Sequence, residues 1–144
     1  LCPNENLLII DAGSAITYDF VSEAGGYLGG NIAPGLKMRL TILQRMTKKL
    51  PLVEVDENEL IPLFGKNTRD AIAAGVVRGV AYEVKGYMRT LREKVPHFQT
   101  YLTGGHASYI LNNVRTSRTE NRAMHHEKYL VLIGLNEILR FNKQ

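Results

Sequence analysis

A short run of small and polar residues, 11–19, has the composition of a phosphate-binding turn. It follows the apolar residues 7–10 and reads Asp-Ala-Gly-Ser-Ala-Ile-Thr-Tyr-Asp. Gly13 has no side chain, so the backbone there can approach a phosphate closely, and the Ser14 hydroxyl can donate a hydrogen bond to it. Asp11 supplies carboxylate oxygens, the ligands that hard cations prefer. The run therefore predicts a turn that binds phosphate together with its cation.

The same run contains two weaker candidates, Thr17 and Asp19. Thr17 offers a second hydroxyl and Asp19 a second carboxylate, but strand alternation could equally direct Asp19 to solvent. A purely structural interpretation also stands, because Asp and Gly are common in turns that bind no ligand. It accounts for Asp11 and Gly13 but leaves the hydroxyls and the second carboxylate unexplained.

Two further glycine clusters follow downstream. Residues 25–35 contain five glycines and Pro34, and Thr103 is followed directly by Gly104 and Gly105. Glycines allow a ligand or another backbone to approach closely, although those of residues 25–35 could also simply form hairpin turns. Three glycine-containing turns in a chain of 144 residues favour an enzyme that handles a nucleotide.

Composition places the chain among ordinary globular proteins and excludes several classes. Hydrophobic residues make up 44% and charged residues 22%, and no apolar run approaches the roughly 20 residues of a membrane span. The net charge of +4 is spread along the chain, so nucleic-acid binding is not predicted, and the basic segment 115–122 is interpreted as a solvated loop. The single cysteine, Cys2, excludes an internal disulfide and fits a reducing cytoplasm.

Strands and helices must hold the glycine turns in place, and the pattern of apolar residues predicts where these strands and helices lie. Apolar runs and alternation predict strands, whereas apolar residues at helical spacing predict helices, with a surface loop over residues 51–66 and a polar loop over 113–128. The predicted strands span residues 7–11, 15–21, 26–32 and 100–103, and the predicted helices span 35–48, 68–93, 106–112 and 129–141.

The longest predicted helix has a clear start and an unusual interior. Asn67 is a plausible N-cap, with Asp70 three residues further on. Gly75, Gly79 and Gly86 then lie inside the helix, where each glycine costs about 1 kcal/mol relative to alanine. We expect these glycines to permit a tight contact with another helix or with the sheet, or between two subunits.

The histidines do not predict a metal site. His125, His126 and Glu127 are adjacent, and neighbouring residues of one strand or helix cannot easily share one ion. His106 follows the third glycine turn and is interpreted as a residue that caps a helix.

Four stretches, in order along the chain, resemble the C-terminal half of type III pantothenate kinases. They read Asp-x-Gly-Ser-Ala-x-Thr-x-Asp at 11–19, Gly-x-x-Gly-Gly-x-Ile-x-Pro-Gly at 26–35, Thr-x-x-Leu-Pro-x-Val at 47–53 and Thr-Gly-Gly-x-Ala at 103–107. This family is part of the acetate kinase, sugar kinase, Hsp70 and actin superfamily. The resemblance therefore implies an α/β ribonuclease H-like (actin-like ATPase) domain, whose mixed sheet starts with three antiparallel strands and is flanked by helices.

The resemblance also implies roles for individual residues. Asp11 would lie near a monovalent cation, K⁺ or NH₄⁺, and Thr68 would contact pantothenate. ATP, carried with Mg²⁺, would be bound by Gly13, Ser14, Ala15, Gly104 and Gly105. Five further residues of the matching stretches are weaker site candidates: Thr17, Asp19, Gly29, Gly30 and Pro34.

By the same resemblance, residues 1–144 would be the C-terminal domain of a two-domain kinase that converts pantothenate to 4′-phosphopantothenate in coenzyme A biosynthesis. The catalytic base and a first phosphate motif would lie in an N-terminal domain that this chain lacks, so we expect no turnover by the chain alone. A cytoplasmic homodimer is expected. Two alternatives remain: a kinase-like regulatory or accessory protein without catalysis, and another kinase of the superfamily.

Overall fold

Residues 4–114 and 124–142, the part of the chain that the computed structural model describes, form five strands and four helices. The strands are β1 (Leu7–Ala12), β2 (Ala15–Val21), β3 (Tyr27–Pro34), β4 (Gln99–Thr103) and β5 (Met124–His126). The helices are α1 (Leu36–Met46), α2 (Thr68–Lys94), α3 (Ala107–Val114) and α4 (Leu130–Phe141).

One mixed sheet has the strand order β3-β2-β1-β4-β5. The first three strands are antiparallel neighbours, whereas β4 runs parallel to β1 and β5 runs parallel to β4. This confirms the predicted fold class, and the predicted limits of the first four strands and the four helices agree to within two residues. The register pairs Asp11 with Thr17 on one side and with Thr103 on the other. Asp11 therefore lies at the end of the central strand, between the first and third glycine turns.

The core lies on the sheet face that the helices cover. Alternation buries Leu8, Ile10 and Ala12 of β1, while one stripe of α2, including Val80 and Val84, is fully buried. Each buried aliphatic side chain contributes about 1.5–3 kcal/mol to folding. The packed sheet and α2 thus form a rigid base for the turns at the strand ends.

The start of α2 confirms the predicted cap. The Asn67 side chain accepts a hydrogen bond from the backbone N–H of Asp70 at 2.9 Å, and its amide donates to the Asp70 carboxylate at 2.8 Å. The surface loop before it is also confirmed: it contains no regular strand or helix, yet Val53 and Ile61 are buried. The Tyr109 hydroxyl donates to the carbonyl of Val55 at 3.0 Å, so this loop is attached to α3.

Strand β5 was not predicted, because the polar loop was expected to continue through residue 128. Only Met124 of its three residues is buried, so its sequence lacks the alternation of a half-buried strand. Its backbone pairs with β4 in parallel, with Tyr101 opposite His125. Residues 124–126 are therefore a strand because they pair with the edge of the sheet. The basic segment 115–122, which was interpreted as a solvated loop, lies outside the described residues.

The interior glycines of α2 do not pack against another part of the described chain, so that part of the expectation was wrong. A Cβ added to Gly75, Gly79 or Gly86 would meet nothing within 4 Å. These positions therefore form an open surface of the helix, and only the expectation of a contact between subunits remains.

Helix α4 is apolar but largely uncovered within the described residues. Leu130 is buried, whereas five large apolar side chains that follow are exposed: Val131, Leu132, Leu135, Ile138 and Leu139. None of the helices in the described part of the chain has the length and apolar character needed to cross a membrane.

Candidate functional site

The turn between β1 and β2 is held by hydrogen bonds to its own backbone and to two other segments. The Gly13 N–H donates to the carbonyl of Ala15 at 3.0 Å, which closes the turn. The carbonyl of Ala12 accepts from the N–H of His106 at 2.9 Å, and that of Ser14 accepts from the N–H of Gly35 at 3.1 Å. Residues distant in sequence thus fix this turn, while Ser14 itself remains exposed.

Gly104 lies against the carboxylate of Asp11. Its φ of +92° belongs to the left-handed region that favours glycine. A Cβ at Gly104 would lie 2.5 Å from Asp11 Oδ1 and 2.6 Å from the carbonyl group of Ala12. Only glycine allows the turn after β4 to approach the end of β1 this closely, whereas Gly105 is exposed, with nothing within 4 Å of an added Cβ.

Helix α1 begins directly on the turn between β1 and β2. Gly35, its N-cap, is buried, and a Cβ there would overlap the carbonyl oxygens of Gly13 and Ser14. Pro34, just before it, pairs with Ala15 in the sheet. The structure therefore brings Asp11, Gly13, Ser14, Ala15, Pro34 and Gly104 together at one end of the sheet.

A cavity of about 280 Å³ opens beside this turn. Its walls come from the first two turns of α1, the loop of residues 52–55, α2 and α3, and they are mainly aliphatic, with Tyr109 and His106 at the α3 side. Such a mostly apolar cavity with a few polar groups is typical of small-molecule sites. Its size and its position next to the turn suit a planar base attached to a phosphate chain.

Two cationic side chains flank the turn. Lys37 and Arg45 of α1 line a neighbouring depression of about 320 Å³ together with Ser14 and His106. Positive charges there favour an anionic ligand by Coulomb attraction. The sequence analysis did not single out Lys37 or Arg45, because their positions in α1 show no motif, and it interpreted His106 only as a capping residue. The fold brings all three to the depression that Ser14 lines.

Asp19 lies further along β2, one strand from the edge, and both of its oxygens accept hydrogen bonds. Thr17 Oγ1 donates to Oδ2 at 3.0 Å, and the Tyr27 hydroxyl donates to Oδ1 at 3.1 Å. The hydrogen bond to Asp19 raises the pKa of the Tyr27 hydroxyl. A Cβ at Gly30 would lie 2.5 Å from Asp19 Oδ1 and 2.8 Å from the Tyr27 hydroxyl. Gly30 therefore makes room for this polar cluster, which joins β2 to β3.

Two remaining candidates lie apart from the turn. Thr68 is exposed at the first residue of α2, and none of the described hydrogen bonds joins it to the turn. Gly29 lies in β3, opposite Phe20, with a φ of +122°. This positive φ lies next to the register shift between Phe20 and Val21 in the pairing of β2 with β3.

Asp11 is the single carboxylate of the turn. Within residues 4–114 and 124–142 no group of three or more His, Cys, Asp or Glu side chains could hold a metal ion. Mg²⁺ often keeps several waters and binds through one or two carboxylates and the substrate's phosphates. The turn therefore suits a cation that arrives with a phosphate chain better than a closed metal centre.

The sheet and its flanking helices have an actin-like fold. A solved structure of the ParM protein of Bacillus thuringiensis in its apo form matches with a TM-score of 0.50 at 11% identity, covering 86% of this chain and 39% of that one. A conserved protein of Campylobacter jejuni, named for the Baf family of transcriptional activators, matches with a TM-score of 0.69 at 26% identity, covering 96% of this chain and 59% of that one.

A family profile for type III pantothenate kinases matches residues 1–90. The type III pantothenate kinase of Bacteroides fragilis is 41% identical over 140 residues, which cover 97% of this chain and 54% of that protein. That of Porphyromonas gingivalis is 43% identical over 143 residues, covering 99% and 56%. The chain belongs to the type III pantothenate kinase family, and it spans about half the length of these relatives, matching their C-terminal half.

Proposed function

We propose that this chain is the C-terminal half of a kinase that transfers the γ-phosphoryl group of ATP to the hydroxyl of pantothenate. One observation carries the proposal: in a chain of this family, the Asp11–Ser14 turn and Gly104 meet beside an apolar cavity flanked by cations. Phosphoryl transfer depends mainly on positioning and on electrostatic stabilisation. The residues of this half would supply the positioning of ATP.

Each part of the site then has a task. The cavity takes the adenosine end of ATP, while the turn of Gly13, Ser14 and Ala15 binds the phosphates beside Lys37. Gly104 and Gly105 border the nucleotide. Mg²⁺, bound with ATP, would neutralise phosphate charge, and Asp11 would bind the monovalent cation, K⁺ or NH₄⁺. The base that takes the proton of the pantothenate hydroxyl lies outside this chain.

We also place pantothenate at Thr68 and a homodimer on the α2 surface that contains the interior glycines. Thr68 is exposed at the start of α2, where a ligand has access to it. A groove of about 330 Å³ runs along the helix, lined by Gly75, Gly79 and the exposed side chain of Phe64. Nothing in the described chain requires glycine at these positions, although glycine in a helix costs about 1 kcal/mol relative to alanine. A second copy of α2 would explain both the glycines and the exposed apolar residues.

A coupled ADP-release assay tests the function on the complete protein, of the length of its relatives. We expect turnover that requires pantothenate and falls when K⁺ is replaced by Na⁺. The cytoplasm, where we place the protein, would supply the K⁺. The 144-residue chain alone, assayed at the same concentration, should show no turnover. Turnover without pantothenate, equal rates in the two salts, or activity of the chain alone would contradict the proposal.

The similarity to the Campylobacter jejuni protein supports a second candidate, a binding module without catalysis, because that protein is named for a family of transcriptional activators. The complete protein would then bind ATP but release no ADP with pantothenate or with other small alcohol substrates. A sugar or acetate kinase activity would instead appear as ADP release with those substrates in the same assay.

A further inference from the structure

His106 lies where the phosphate turn, the glycine turn after β4 and the cavity meet. Its backbone N–H donates to the carbonyl of Ala12 at 2.9 Å, and its ring Nδ1 lies 3.3 Å from the carbonyl oxygen of Gly13. A carbonyl oxygen only accepts, so Nδ1 carries the proton in this contact. One residue therefore binds two successive carbonyls of the phosphate turn.

These contacts complete the set of bonds to the carbonyls of the turn. The third carbonyl, that of Ser14, accepts from the N–H of Gly35 at 3.1 Å. A carbonyl oxygen that faced a phosphate would repel it, because both carry negative charge. Since protein donors hold all three carbonyls, the turn can offer the Ser14 hydroxyl to an anion without this repulsion.

The ring is itself held in place by its neighbours. It makes an edge contact with Tyr109, whose ring centroid lies 5.8 Å away at an interplanar angle of 64°. The Tyr109 hydroxyl is in turn bound to the carbonyl of Val55 at 3.0 Å. The ring of His106 borders both the cavity and the depression next to Ser14. The imidazole thus connects the wall of the cavity with the backbone of the turn.

We propose that His106 is a positioning residue for the phosphates of ATP: its Nδ1–H fixes the Gly13 carbonyl and so holds the turn in its phosphate-binding conformation. This rests on the proposed function, since it requires that the turn binds ATP. His106 acts through Gly13 and need not touch the ligand. Because the ring also borders the cavity that takes the adenosine end, its removal should weaken binding of the phosphate chain more than binding of adenosine.

Three variants of the complete protein distinguish a role of the ring Nδ1 from a role of Nε2. His106→Asn places an amide N–H near the position of Nδ1, whereas His106→Gln places one near Nε2, and His106→Ala provides neither. Calorimetric titration would use a non-hydrolysable ATP analogue and adenosine, with thermal unfolding as a check of folding. We expect the analogue to bind about fivefold more weakly to the Ala and Gln variants, because this loss of affinity corresponds to the net free energy of one hydrogen bond. The Asn variant should bind it within about twofold of wild type, and the Ala and Gln variants should lose less affinity for adenosine than for the analogue.

The outcomes distinguish this proposal from the proposed function. If wild-type protein binds neither ligand, the proposed function fails. If wild type binds and phosphorylates as expected but the Ala variant binds the analogue equally well, only the role of His106 is overturned. Equal losses for the analogue and adenosine would also overturn it, because the ring would then contact the adenosine end directly. Restoration by Gln rather than Asn would assign the function to Nε2 and contradict the proposal.

Discussion

At the residue scale, the site depends on positions where a side chain is absent as much as on those where one is present. The glycine motifs could be read from the sequence because a glycine next to a strand end is informative by itself. The reason for each glycine could not be read from the sequence. Gly104 makes room for Asp11, whereas Gly30 makes room for the contact between Asp19 and Tyr27. His106 was interpreted only as a capping residue, since its contact with Gly13 joins residues 93 positions apart.

The adjacent glycines after β4 provide a test of this distinction. Gly104→Ala places a Cβ against Asp11 at a φ of +92°, which we expect to destabilise the complete protein by about 2–4 kcal/mol. Gly105→Ala is the matched control, because it has open space and no positive φ, and it should change stability by less than about 0.5 kcal/mol. Urea denaturation measures both, and equal losses would refute the argument.

At the scale of elements, hydrophobic periodicity predicted every element that has its own pattern. Four strands and four helices were predicted, whereas β5 depends on pairing with β4 and has no pattern that could reveal it. The contacts that orient one element on another were also beyond the sequence. Glu83 of α2 accepts from the Tyr18 hydroxyl of β2 at 2.6 Å and from the Arg39 guanidinium of α1 at 2.7 Å. This polar cluster fixes α1, which forms a wall of the cavity.

The cluster leads to a prediction about alkaline pH. Burial, and then the hydrogen bond to Glu83, raise the pKa of the Tyr18 hydroxyl well above its usual value. The folded state therefore keeps this proton above about pH 10, where an unfolded tyrosine releases it. The contribution of the Tyr18 hydroxyl to the free energy of unfolding is thus complete below about pH 10 and decreases as the pH rises further. One such group contributes a slope of up to about 1.4 kcal/mol per pH unit.

Tyr18→Phe should reduce that slope, and it should lower stability at pH 7 by about 1.5–3 kcal/mol, the contribution of a hydrogen bond to a charged group. Tyr129→Phe is a matched control, because this side chain is 56% exposed. Urea denaturation of the complete protein at pH 7 and between pH 9.5 and 11 measures both effects. An unchanged alkaline slope in the Tyr18 variant would show that other groups cause it.

At the scale of the whole molecule, the described chain leaves two apolar surfaces uncovered, one on α4 and one along α2. The sequence predicted both helices and their apolar residues, but periodicity cannot say what covers a helix. Beside α2, Phe64 is 82% and Leu63 57% exposed, in the loop that lies next to the open glycines. Apolar surface of this kind marks interaction sites in soluble proteins, which fits the proposed contact between two copies of α2.

A single enlarged residue on α2 tests the homodimer. Gly79→Leu adds a side chain where an added Cβ meets nothing within 4 Å, so the fold of one subunit should tolerate it, and leucine should favour the helix by up to about 1 kcal/mol. In the groove between two copies the same side chain would prevent close approach. We expect wild-type protein to sediment as a dimer at micromolar concentration and the variant as a monomer with unchanged circular dichroism. Gly134→Leu on α4, which is equally open, is the control and should remain dimeric. A monomeric wild type, or a variant that still forms the dimer, would mean that the α2 glycines do not mediate the contact between subunits.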